Sequence, residues 1–120
     1  MNDQVPLLDQ EVLAELRAST GDDEEFVREL IDAYVAEAAG HFDGMAKAIE
    51  SDDIAAIVRP AHTLKSSSAS VGAMRLAGIC RAIEEAAREN RRDGLDDQVR
   101  DAQATWTATL DALRAAGLTS

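Results

Sequence analysis

The sequence predicts an all-α fold, an antiparallel four-helix bundle with an additional short N-terminal helix. Three observations lead there. Ala, Leu, Glu, Arg and Asp dominate a 120-residue chain with only two prolines, a composition that suits helices. Apolar residues recur at steps of three and four through successive segments, and no β-branched run alternates with period two. Short clusters of Gly, Asp, Asn and Ser separate those segments, so consecutive helices should be antiparallel neighbours.

The elements follow in order. Residues 1–8 read as a poorly ordered lead. Asp9 is placed to cap a short helix whose apolar side is Val12, Leu13 and Leu16 and which ends near Ser19, Thr20 and Gly21. Asp22 with Glu25 resembles a capping box, and the surrounding acids complement a helix dipole. From Phe26 the apolar positions run through Leu30, Tyr34, Ala38, Phe42 and Met45 to Ile49, with Gly40 and Gly44 weakening the middle without ending the helix. Ser51, Asp52 and Asp53 then form a turn and the next cap.

A third segment, from about Asp53 to Ser70, carries Ile57, Ala61, Leu64, Ser68 and Val71 on one narrow stripe that needs a partner helix. Pro60 inside it either kinks the helix or marks where a turn restarts. After Gly72 a fourth pattern holds Leu76, Ile79, Cys80, Ile83 and Ala87 and ends at Asn90–Gly94. A fifth holds Val99, Ala102, Trp106, Leu110 and Leu113 and stops at Gly117. The bundle spans about 22–116 within a single domain covering 1–120.

Charge and composition exclude several function classes. A net charge of -11 disfavours nucleic acid and anionic membrane surfaces as partners. No apolar run approaches the ~20 residues of a membrane span, and residues 1–10 lack the basic and apolar regions of a secretory leader. The lone Cys80 cannot form an internal disulfide, so a cytoplasmic location is expected. No Glu-x-x-His pair or Cys/His cluster suggests a metal, and no Gly-rich phosphate loop suggests a kinase. The span from Met1 to residue 120 suggests a free-standing protein, and a piece of a larger hybrid kinase is the other reading.

One residue stands out. At about 100° per residue with His62 at zero, Lys65 lies near ~300°, Ala69 near ~340°, Ser66 near ~40° and Arg59 near ~60°, while the apolar stripe occupies about 180–260°. His62 therefore points to solvent among small and cationic neighbours. A neutral imidazole, with an ordinary pKa of ~6.5, is a competent nucleophile toward phosphorus, and a lysine one turn away is suited to phosphoryl charge. His41, by contrast, lies near the apolar side of its helix four residues after Glu37, where packing or an ion pair accounts for it.

The stretch Ala61-His62-Thr63-Leu64-Lys65-Ser66-Ser67-Ser68-Ala69-Ser70-Val71-Gly72-Ala73 resembles the signature of the histidine-containing phosphotransfer (HPt) family: His, any residue, a hydrophobic residue, Lys, a small residue, and Gly about ten positions on. Leu76 and the Ile83-Glu84 pair continue it. The resemblance implies that His62 is phosphorylated on Nε2 and that Lys65 lies beside the phosphoryl group. Ser66, often Gly in the family, would stay small for docking. Glu84 would match a position that hydrogen-bonds the ring's Nδ1. Arg59, Ser66 and Ala69 then border the docking site, although for Arg59, Arg75, Arg81 and Arg88 pairing with nearby acids is the favoured reading. The implied partners are receiver domains of response regulators or hybrid histidine kinases in a multistep His–Asp phosphorelay. They would supply the aspartate and the Mg²⁺, so this chain needs no cofactor and no kinase activity of its own. A non-phosphorylated adaptor using the same helical face, and a purely structural bundle, are the competing readings.

Overall fold

In a computed structural model, which describes residues 5–120, the chain forms five α-helices and one short 3-10 turn. They are α1 (Gln10–Ser19), α2 (Glu24–Glu50), the 3-10 turn Ile54–Ile57, α3 (Val58–Ser70), α4 (Met74–Arg88) and α5 (Leu95–Ala115). Helices α2 to α5 form the bundle, and α1 packs against α2 near the Gly72 turn. Of the lead expected to be poorly ordered, residues 1–4 lie outside the described part. Over 5–8, Arg75 Nε donates to the Val5 carbonyl at 2.7 Å and Leu8 packs against the core.

Caps explain where the helices begin. The Asp9 carboxylate accepts from the Glu11 and Val12 amides, as expected from its position. At α2 the cap is Asp23 and not Asp22. Asp22 has φ +62 and closes the preceding turn through its amide on the Arg17 carbonyl, which leaves Asp23, in extended conformation, to accept from the Phe26 amide. Pro60 is the third residue of α3, following the 3-10 turn. A first-turn amide has no intrahelical acceptor, so the missing N–H costs little where Pro60 follows the change from 3-10 to α geometry.

The α2 stripe also differs from expectation. Phe26 and Leu30 are 46% and 38% exposed, whereas Val27 and Ile31 are fully buried. Steps of four drift about 40° around a helix, so a run that steps only by four leaves the core face. The buried stripe is Val27, Ile31, Tyr34, Ala38, Phe42, Met45 and Ala48, and α2 continues through Gly40 and Gly44. The α3 stripe of Ile57, Ala61, Leu64, Ser68 and Val71 is buried throughout. On α5, Thr105 and Thr109 are buried where Leu110 was expected, with Thr109 Oγ1 donating to the Thr105 carbonyl at 2.7 Å.

One hydrogen bond ties α3 to α2 from behind, and aromatic contacts between α2 and α5 back it. The Tyr34 hydroxyl and Ser68 Oγ share a buried hydrogen bond of 2.7 Å, and burial raises the Tyr34 pKa. Trp106, partly buried, meets Tyr34 edge-on at 5.5 Å between ring centroids and lies 5.9 Å from Phe42.

The α3–α4 turn is held by the N-terminal strap. The Asp9 amide donates to the Gly72 carbonyl at 2.7 Å, and Gly72 adopts φ +82. A Cβ at Gly72 would lie 3.0 Å from the Asp9 carbonyl oxygen. Gly94 has a similar φ of +79, but a Cβ there meets nothing within 4 Å. Gly72→Ala is therefore expected to destabilise the protein by at least about 1 kcal/mol more than Gly94→Ala, since the second carries the left-handed backbone cost alone. Denaturant melts of the two variants measure the difference.

Candidate functional site

The expected site residues converge where α3 packs on α4. His62 is on the outward face of α3, its side chain 54% exposed, as the wheel predicts from Ala61 and Leu64 lying fully buried behind it. Glu84 extends from α4 toward the same point, and its side chain is only 8% exposed. It shares its side of α4 with buried Ala77, seven residues earlier, which is the edge that meets α3.

Glu84 is the hub. Its two oxygens lie 3.2 and 3.1 Å from His62 Nδ1. Lys65 Nζ contacts Oε1 at 2.8 Å. Arg88 donates to Oε2 twice, from Nε at 2.9 Å and from Nη2 at 2.8 Å. The Lys65 ammonium holds the Glu84 carboxyl well below its ordinary 4.5, at about 2, with Arg88 and His62 adding to the effect and burial opposing it. An ionised carboxylate accepts and does not donate. Nδ1 therefore carries the proton, and the Nε2 lone pair faces outward.

Lys65 is 31% exposed and engaged by Glu84, a pairing that the sequence reading did not include. Arg88 was read as an ordinary partner for acids and was not counted with the site. The signal was legible, because Arg88 follows Glu84 by four residues on one helix. The burial of Glu84, which gives that pair its importance, was not.

Beside His62, Lys65, Ser66 and Ala69 of α3 face Ala77, Gly78 and Arg81 of α4 across an open groove with small side chains on both walls. Arg59 is exposed one turn before His62, lies outside that groove, and has no ion pair among the described residues. Arg81 pairs with Glu85. His41 is partly buried, Cys80 is fully buried, and burial pushes its thiol up to about 12. No described helix is long and apolar enough to cross a membrane.

Two stability measurements check this geometry. His62→Gln is expected to change unfolding free energy by no more than about 0.5 kcal/mol, since the ring is half exposed and Glu84 keeps both cations. Glu84 has a depressed folded pKa, so its stabilisation is complete above about 4.5 and is lost as pH falls toward about 2. The stability gap between wild type and Glu84→Gln should be widest near neutrality and should close across that window in acid unfolding.

A model of the Hpt domain family matches residues 29–116. Among solved structures, the crystal structure of histidine-containing phosphotransfer protein B (HptB) from Pseudomonas aeruginosa PAO1 is similar, with a TM-score of 0.84 and 26% identity. The similarity covers 91% of this chain and 92% of that one. No curated protein matches. A helical bundle that presents an exposed histidine, matched by the family model over most of its length, places this chain in the Hpt domain family.

Proposed function

We propose that this chain carries a phosphoryl group on His62 Nε2 between receiver-domain aspartates in a multistep phosphorelay. The observation that carries the reading is the buried Glu84 carboxylate on Nδ1 of a ring that is otherwise open to solvent. Nε2 attacks phosphorus of an aspartyl phosphate, the P–N bond forms, and the P–O bond to the aspartate breaks. That carboxylate leaves with the electron pair. The Nδ1 proton stays in place, so the ring becomes cationic, and Glu84 stabilises that charge through the contact it already makes. The same stabilisation operates in reverse when the next aspartate takes the group.

The chain supplies an oriented nucleophile and a surface to dock on, and the receiver supplies the aspartate and its Mg²⁺. The groove beside His62 suits close approach because Ser66, Ala69, Ala77 and Gly78 project little. The net charge of -11 fits a cytoplasmic relay component better than one held on anionic lipid.

Incubation with a panel of phosphorylated receiver domains, with His62→Gln in parallel, tests the function. Rapid acid-labile labelling of wild type and none of the variant is expected. Receiver binding without label would favour an adaptor. Docking is tested by Ser66→Tyr, which should slow transfer from a receiver by more than about tenfold, equivalent to ~1.4 kcal/mol. Labelling by phosphoramidate, a donor too small to need the groove, should be little changed in that variant.

A further inference from the structure

Glu84 has two cationic partners where one would neutralise it, and the two are held differently. Arg88 places two nitrogens on Oε2. Lys65 makes one contact, to Oε1, from a flexible stem on the helix that carries His62. A phosphoryl group on His62 brings up to about two negative charges into reach of the same ammonium. Lys65 then stands between two anions.

We propose that Lys65 exchanges from Glu84 to the phosphoryl oxygens when His62 is phosphorylated, and that Arg88 is the positioning residue that makes the exchange feasible by keeping Glu84 paired. The proposal rests on the phosphocarrier reading above and extends it to a residue outside the family signature. A carboxylate whose side chain is 8% exposed tolerates loss of its cations poorly. With Arg88 present, departure of Lys65 leaves the carboxylate bonded to a guanidinium and to the Nδ1–H of the charged ring. Without Arg88, Lys65 is the remaining full cation on Glu84, and the carboxylate holds it back from the phosphoryl group. Arg88 thus acts on the phosphoryl group through Glu84 and Lys65.

The test is a double-mutant cycle read with phosphoramidate, a small donor that removes receiver docking from the comparison. Initial rates of His62 labelling are measured for wild type, Arg88→Gln, Glu84→Gln, the double variant and Arg88→Lys, with thermal melts confirming that each is folded. Arg88→Gln is expected to slow labelling about tenfold, the scale of one charged hydrogen bond, and by less than about twofold when Glu84 is already Gln, because a neutral amide no longer retains Lys65. Arg88→Lys should recover most of the rate. An equal loss in both backgrounds would mean that Arg88 acts directly on the phosphoryl group and would overturn the exchange. So would no loss in either background. Absence of label on wild-type His62 would instead overturn the carrier reading, and this proposal with it.

Discussion

The site depends on one buried carboxylate. Glu84 lies at the edge of the α4 apolar stripe, and desolvation by itself would push such a group toward its neutral form. Lys65, Arg88 and His62 reverse that balance and hold it ionised. Ionisation fixes the acceptor on Nδ1, the proton on that nitrogen and the lone pair on Nε2. The chemistry of the exposed ring is therefore set by a side chain on a different helix that solvent barely reaches.

That arrangement places a demand on the frame, because the partners come from two helices. His62 and Lys65 belong to α3, Glu84 and Arg88 to α4, and contacts of about 3 Å survive only if the two helices keep their register. The Gly72 turn joins them with a backbone that a side chain would disturb, and the strap at Asp9 closes over it. Behind α3, the bond from Tyr34 to Ser68 fixes its rotation, and Trp106 braces Tyr34 from α5. Polar pairs inside an otherwise apolar core specify orientation more sharply than area alone, because an error in register leaves a buried hydroxyl without a partner.

Most of this frame was legible in the sequence, and the parts that were not share a cause. The α3 stripe and the outward direction of His62 follow from rotation about a single axis, which spacing records faithfully. The breakers at Gly21, Gly72 and Asn90–Gly94 end helices for local backbone reasons. The α2 register failed at Phe26 and Leu30 because two apolar rows run side by side there, and only packing against the rest of the bundle decides between them. The Asp22 and Asp23 choice turned on a left-handed residue needed to close the preceding turn. For the site, spacing gave His62 with Lys65 one turn away, and the family pattern named Glu84. It did not show that Glu84 holds Lys65 in the resting protein, since distances between helices are not recorded in either sequence segment.

The charge distribution gives the same division of labour at a larger scale. The body of the molecule is strongly acidic, yet Arg59, Lys65, Arg81 and Arg88 all lie on or near the His62 face. Screening over about 8 Å at physiological salt confines the acidic body's repulsion of an anion to short range, so the nearest charges govern the potential at the ring. Glu84 is the acid bonded directly to the histidine ring, and two cations already occupy it. The carboxylate nearest the ring is thus already matched by positive charge from Lys65 and Arg88. A free lysine beside an unpaired histidine would offer the same residues with neither the fixed tautomer nor the neutralised surroundings. The pairing across α3 and α4 supplies both before any partner arrives.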